Sequence, residues 1–212
     1  MEPFTQHTGT LVPFDRDNVD TDAILPKQYL KMLEKTGFGD FLFDDERYLD
    51  PGDVDTPIAE RRANPEFILN RSPYCLATIL VAGANFGCGS SREHAVWALR
   101  DFGVRVVLAK SFGDIFFNNC FNNGLLPVIL DDAVIDELMD FAQTSPDREV
   151  TVDLEAFEIR AGERTWAFVV DRGRRENLLS GLDEIGRTLE YAESVRQYET
   201  NRQKLEPWLF QD

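Results

Sequence analysis

Cysteine and histidine are scarce in this chain of 212 residues, with three of the first and two of the second. Cys75, Cys88 and Cys120 form no C-x-x-C pair and are odd in number. That argues against a disulfide framework and against a zinc or iron–sulfur site built by this chain alone. Basic residues are also short: 22 Lys and Arg face 38 Asp and Glu, a net charge of −16. Nucleic-acid interfaces need clustered Lys and Arg for phosphate contacts, so that class of partner is not expected. Long apolar runs are missing too. The longest, 77–84, falls far short of the roughly 20 residues that span a bilayer. The opening Met1-Glu2-Pro3-Phe4-Thr5-Gln6-His7-Thr8-Gly9 has neither the basic nor the apolar region of a secretory leader. The expectation is a reduced, cytoplasmic protein with no membrane partner.

What is present is an ordinary globular composition, 43% hydrophobic and 28% charged. The length fits one domain over 1–212 with a C-terminal helical extension. The negative charge is concentrated: 131–160 holds ten acids against two bases, half of the net total. Two segments run the other way. Lys27, Lys31 and Lys35 face Glu34, while Arg92, Arg100, Arg105 and Lys110 face Glu93 and Asp101 within 88–110, so each is locally +2. A small anion can therefore find a positive pocket on an acidic surface.

Hydrophobic patterning predicts strands at 8–14, 75–82, 104–109 and 126–130, with helices at 90–102, 114–122 and 131–142. That alternation indicates α/β layering with a partly parallel sheet. Pro26 suits the first turn of a helix through 35, with Tyr29, Leu30 and Leu33 on one face. Residues 36–64 show no sustained period and read as a long functional or mobile loop. Beyond Pro146 the pattern changes to short strands at 149–154, 157–160 and 165–170, the last two joined by a hairpin turn at Ala161-Gly162-Glu163. Helices are expected at 172–179 and 189–205, the second with Val195 and Tyr198 as apolar anchors.

The segment Gly83-Ala84-Asn85-Phe86-Gly87-Cys88-Gly89-Ser90-Ser91-Arg92-Glu93-His94 carries the most chemistry. Glycines between a strand and a helix let amide N–H groups approach a ligand, and a helix start favours an anion. Arg92 is suited to a bidentate clamp on a carboxylate. Ser90 and Glu93 also match the S-x-x-E capping box, which would make Ser90 the N-cap. The glycine spacing fits neither a P-loop nor G-x-G-x-x-G.

Asn85-Phe86-Gly87-Cys88-Gly89-Ser90-Ser91-Arg92-Glu93-His94-Ala95 resembles the signature of the swivelling domain of the aconitase superfamily. Two further blocks match in order: Asp20-Thr21-Asp22-Ala23-Ile24-Leu25-Pro26, and Ser111-Phe112 through Asn119 to Gly124-Leu125-Leu126-Pro127. The likeness runs from His7-Thr8-Gly9 to Gly181-Leu182-Asp183 and beyond, and looks most like the small-subunit family of bacterial 3-isopropylmalate dehydratase. The resemblance implies a three-layer β/β/α domain that closes over a large-subunit partner. It implies interconversion of 2-isopropylmalate and 3-isopropylmalate through 2-isopropylmaleate, in leucine biosynthesis. It places a [4Fe–4S] cluster, the Lewis acid for the leaving hydroxyl, on the large subunit, with no cofactor bound by this chain. By the same resemblance Ser90 is the catalytic base, Ser91 and Arg92 bind a carboxylate of the small dicarboxylate substrate, and Thr21 and Asp22 line the cleft. Lys31 falls in the substrate-recognition loop, where isopropylmalate enzymes often carry arginine. Homoaconitate-type or methylmalate-type substrates stay open beside isopropylmalate, as does a non-catalytic anion-binding module.

Overall fold

The structure is a computed structural model that describes every residue except 33, 183, 190 and 211–212, together with the backbone but not the side chains of 184, 185 and 187. Leu33, expected on a helix face, and Asp183, at the end of the resembling stretch, lie outside the described residues.

The first strand, β1 (Gln6–Phe14), organises the molecule. On one side it pairs in parallel with β2 (Ile79–Ala82), which is followed outward by β3 (Val106–Ala109) and β4 (Leu126–Ile129). On the other side it pairs antiparallel with β5 (Glu149–Asp153), then β6 (Glu158–Ala161) and β7 (Arg164–Ala167). The sheet order is therefore β4-β3-β2-β1-β5-β6-β7. Ile79, Leu80, Val81 and Ala82 are all buried, as are the four residues of β3. Continuous apolar runs are what parallel strands covered on both faces require. In β5 and β6 burial alternates, as in a sheet with one wet face.

Alternation along the central strands sends side chains to two separate clusters. Val12, Phe14, Leu80, Ala82, Val107 and Ala109 face one way, onto α3 (His94–Phe102), the short α1 (Thr21–Ile24) and the stretch around Phe38–Phe43. Leu11, Ile79, Val81, Val106 and Leu108 face the other way, onto α5 (Asp132–Thr144) and the inward residues Val150, Val152 and Ile159. The antiparallel strands thus curl over the same core as the parallel ones, and the helices close it in the three-layer β/β/α arrangement. Two further helices, α4 (Asp114–Asn122) and α6 (Arg172–Ser180), follow β3 and β7. The chain continues through α7 (Glu184–Leu189) and α8 (Ala192–Leu205), and α8 buries none of its side chains.

The strand expected over 75–82 is only Ile79–Ala82, since Tyr74–Leu76 is a 3-10 turn, and two readings between 26 and 64 also need correcting. The helix predicted over 26–35 is only a 3-10 turn, Lys27–Lys31, because Met32 turns to extended backbone (φ −63°, ψ 134°). The stretch 36–64 has no sustained period, as expected of a loop, but it is packed into the core along much of its length. Phe38, Phe41, Leu42, Phe43 and Tyr48 are buried, and short turns Gly39–Phe41, α2 (Asp44–Arg47) and Ile58–Glu60 replace a regular period. No helix of the described residues is long and apolar enough to cross a membrane.

Candidate active site

The C-terminal ends of the parallel neighbours β1 and β2 release two loops side by side, and backbone hydrogen bonds zip them together. Gly83 N donates to Arg16 O (3.1 Å), Asn18 N to Ala84 O (2.8 Å), Gly87 N to Val19 O (2.7 Å) and Thr21 N to Cys88 O (2.9 Å). Side chains reinforce the seam: Asp17 Oδ1 accepts from Ala84 N at 2.6 Å, and Asn85 Nδ2 donates to Asn18 Oδ1 at 2.8 Å. Gly87 is required here. Its φ is +72°, and a Cβ at this position would enter the Phe116 ring. The register of the zipper carries the Asp20-Thr21-Asp22 block directly onto Cys88-Gly89-Ser90.

The consequence is a hydroxyl pair. Thr21 is buried at 1% exposure, and its Oγ1 lies 2.7 Å from Ser90 Oγ while accepting from Ser90 N at 3.2 Å. Either hydroxyl can donate in this contact, and when Ser90 is ionised the Thr21 O–H is the donor to Ser90 Oγ. Beside it Arg92 forms a two-pronged ion pair with Asp22: Nη1 with Oδ1, and Nη2 with Oδ2 at 3.3 Å. Both ends of this pair reach solvent, and Ser91 is exposed. Asp20 caps α1, its Oδ1 accepting from Ala23 N at 2.7 Å, which fixes the turn that presents Thr21 and Asp22.

Ser90 is not a helix cap. The first helical residue of α3 is His94, the N-cap is Glu93, and no side chain caps it. Positive φ at Gly87 and Gly89 (+72° and +94°) keeps the preceding residues out of the helix, and Thr21 captures the Ser90 hydroxyl. Glu93 turns away from Ser90 and accepts from Asn123 Nδ2 at 2.6 Å, and Asn123 Oδ1 in turn accepts from Trp97 Nε1 at 2.9 Å. Asn119 Nδ2 donates to Ser91 O at 3.5 Å. The asparagines of α4 and its C-terminal edge thus hold the Ser90–Glu93 segment from behind. Their only signal in the sequence is their place in the third resembling block. His94 packs its ring against Phe38 (5.5 Å) and Trp97 (4.6 Å), and burial lowers its pKa from the ordinary 6.5.

Thr21, Asp22, Ser90 and Arg92 therefore meet, with Ser91 one residue away. Lys31 does not join them by any hydrogen bond or ion pair among the described residues. It ends the next turn of the same chain, exposed, and its charge acts on Asp53, whose pKa is lowered first by backbone and side-chain hydrogen bonds. The cysteines are dispersed: Cys75 in a 3-10 turn, Cys88 in the glycine loop, and Cys120 buried in α4 with its thiol pKa raised by desolvation. Among the described residues no group of three or more His, Cys, Asp or Glu is placed to hold a metal ion. Among the described residues the three cysteines are too dispersed to ligate one iron–sulfur cluster together.

A curled mixed sheet carrying this zipped pair of loops defines an aconitase-type domain, and the family model described as Aconitase C-terminal domain matches 1–133. The model LeuD_N matches 136–172, and the model for the C-terminal domain of the 3-isopropylmalate dehydratase small subunit matches 184–212. Proteins named 3-isopropylmalate dehydratase small subunit are similar over nearly their whole length. That of Marinobacter nauticus is 54% identical, covering 99% of this chain and 98% of its own. That of Nitrosomonas eutropha is 52% identical, covering 99% and 100%. The crystal structure of a 3-isopropylmalate dehydratase (leuD) from Methanocaldococcus jannaschii superposes with a TM-score of 0.60 at 27% identity, covering 92% of this chain and 99% of that one. The chain belongs to the family of 3-isopropylmalate dehydratase small subunits.

Proposed function

We propose that this chain is the substrate-binding half of a two-subunit hydro-lyase that interconverts 2-isopropylmalate and 3-isopropylmalate through 2-isopropylmaleate. Dehydration removes a proton from the carbon beside one carboxylate and hydroxide from its neighbour; hydration returns both with the positions exchanged. Cluster chemistry at the leaving hydroxyl belongs to the large subunit. This chain's share is the proton and the carboxylate.

The observation that carries the reading is the 2.7 Å contact between the buried Thr21 hydroxyl and Ser90 Oγ, with the Arg92–Asp22 pair on the residues that follow each of them in the chain. A serine hydroxyl is far too weak an acid to serve as a base unless its oxyanion is stabilised. A Thr21 O–H aimed at Ser90 Oγ, and the positive charge of Arg92, act in that direction once the cleft is closed and water leaves. Ser90, entering the step as the alkoxide, takes the substrate proton to become the hydroxyl again as the C–H bond breaks, the electron pair forms the new double bond and hydroxide leaves the neighbouring carbon. Arg92 exchanges the Asp22 carboxylate for that of the substrate, so Asp22 keeps the guanidinium extended before binding. Ser91 adds a hydroxyl donor, and Lys31 meets the distal end of the substrate. The Arg92–Asp22 pair and Ser91 are open to solvent, which supports a site completed by the large subunit.

The test is to mix the purified chain with the cluster-loaded large subunit and follow isopropylmaleate absorbance. Activity on mixing that falls about 10²- to 10⁴-fold in Ser90→Ala, with assembly intact, is the expected result. Full activity in Ser90→Ala would overturn the base assignment.

A further inference from the structure

The stretch between α1 and α3 contains a charge pair that stability alone does not call for. Asp44, the first residue of α2, receives two parallel hydrogen bonds from Arg61: Nη1 to Oδ1 at 2.5 Å and Nη2 to Oδ2 at 2.9 Å. Their side chains are 1% and 2% exposed. Removing two charges from water costs as much as or more than their mutual attraction returns, and apolar residues of equal volume hold a core at least as well. What such a pair provides is direction, because a planar fork accepts one geometry.

The fork is fixed on every side. Arg61 Nη2 also donates to Asp50 O at 2.8 Å, and its guanidinium lies 4.1 Å from the centre of the Tyr48 ring. On the remaining side Nη1 reaches Tyr29 OH at 3.5 Å. Tyr29 is fully buried and stacked on Phe41 with ring centres 4.1 Å apart. Burial and the Asp44 carboxylate push its pKa up, so it stays a neutral phenol. Tyr29 stands two residues before exposed Lys31, within the same 3-10 turn. Downstream, Phe38 N donates to Asp101 Oδ2 of α3 at 2.9 Å. The exposed turn is thus pegged to the core at Tyr29 on one side and Phe38 on the other.

We propose that the buried Asp44–Arg61 pair is a positioning device for the recognition turn: it locks Tyr29 and so sets where Lys31 presents its charge to the substrate. This rests on the reading of Lys31 as a substrate contact. Asp44 and Arg61 touch no substrate. They act through Tyr29, and their effect belongs to substrate affinity and to discrimination among malates with different substituents, not to proton transfer.

The experiment uses the assembled two-subunit enzyme and steady-state kinetics on 2-isopropylmalate. The variants are Lys31→Ala, Arg61→Lys, Arg61→Lys combined with Lys31→Ala, and the paired replacement Asp44→Leu with Arg61→Met. Arg61→Lys keeps the charge and loses the fork, while the paired replacement removes both charges and spares the core an unpaired ion. Each of the four is expected to raise KM about tenfold and to leave kcat within about twofold; Lys31→Ala and the paired replacement keep the melting temperature near that of the parent, while the two variants carrying Arg61→Lys melt lower but stay folded at the assay temperature. Lys31→Ala should add nothing to Arg61→Lys, because both remove the same contact. A raised KM in Lys31→Ala beside an unchanged KM in folded Arg61→Lys and the paired replacement overturns the positioning role and leaves the Lys31 reading standing. An unchanged KM in Lys31→Ala overturns the Lys31 reading itself, and the positioning role with it.

Discussion

Thr21 does more for Ser90 than Ser90 does for itself. Its hydroxyl is the group within hydrogen-bond reach of Ser90 Oγ, and its burial protects that contact from water. Replacing Thr21 by the isosteric valine should lower kcat about 10²-fold with KM little changed, and Thr21→Ser should restore most of it. A second residue prediction concerns pH. Burial, and then Arg105, lower the pKa of His7 below its ordinary 6.5, while its Nε2 hydrogen-bonds Thr78 Oγ1 at 2.7 Å. The unfolded chain then binds a proton before the folded one does. Stability from this group is complete above pH 6.5 and is lost as pH falls through the lowered native value. Denaturant midpoints measured between about pH 7 and pH 5 should decline less in His7→Gln than in the parent. Serine and threonine could be picked out of the motifs one by one. Their contact could not, since 69 residues of chain separate them.

Among the elements, the glycine loop shows how a motif can be legible and its geometry not. Its glycines mark a strand-to-helix connection in the sequence, and the structure has one there. The S-x-x-E pattern pointed to a cap at Ser90, but α3 starts only at His94. A capping box is a local arrangement between two side chains, and here both found other partners: Ser90 with Thr21, Glu93 with Asn123. Gly87→Ala should cost about 1–3 kcal/mol in urea unfolding, because the loop must leave φ +72° or displace the Phe116 ring. The burial of the loop 36–64 was not legible for a related reason. Phe38, Phe41 and Phe43 are buried through single turns, which carry no 3.6- or 2-residue period to read.

At the scale of the molecule, the sheet puts the candidate site at one end and leaves α8 outside the core. The apolar residues Val195, Tyr198 and Leu205 of α8 are exposed, and its contacts are chiefly with the following turn Pro207–Phe210. Ending the chain after Tyr191 should therefore change unfolding stability by less than about 1 kcal/mol, a melting shift within about 2–4 °C. The acidic excess belongs to the same scale. Residues 131–160 form α5 and strands β5 and β6, and Asp136 of α5 is taken up in an ion pair with Lys110 at 2.9 Å, while the acid that meets Arg92 is Asp22, so the net charge of −16 says little about the potential at Arg92.

Strand order along the chain, the parallel character of the first half and the place of the Ser90 loop were all readable from residue types, because each depends on near neighbours. Apolar runs report burial on two faces, and glycine reports a sharp turn, whatever else the chain does. The curl of β5 and β6 over the first core, the Thr21–Ser90 contact, the Asp22 hold on Arg92 and the buried Asp44–Arg61 fork depend on partners far apart in the chain, 17 to 70 positions for the three side-chain pairs. No spacing rule reaches that far. The Thr21–Ser90 and Asp22–Arg92 partners are chosen by the register in which β1 meets β2 and by the packing of α1 against α3, the fork by the packing of the turns within 36–64, and the curl by the pairing of β1 with β5; all exist only once the chain has folded.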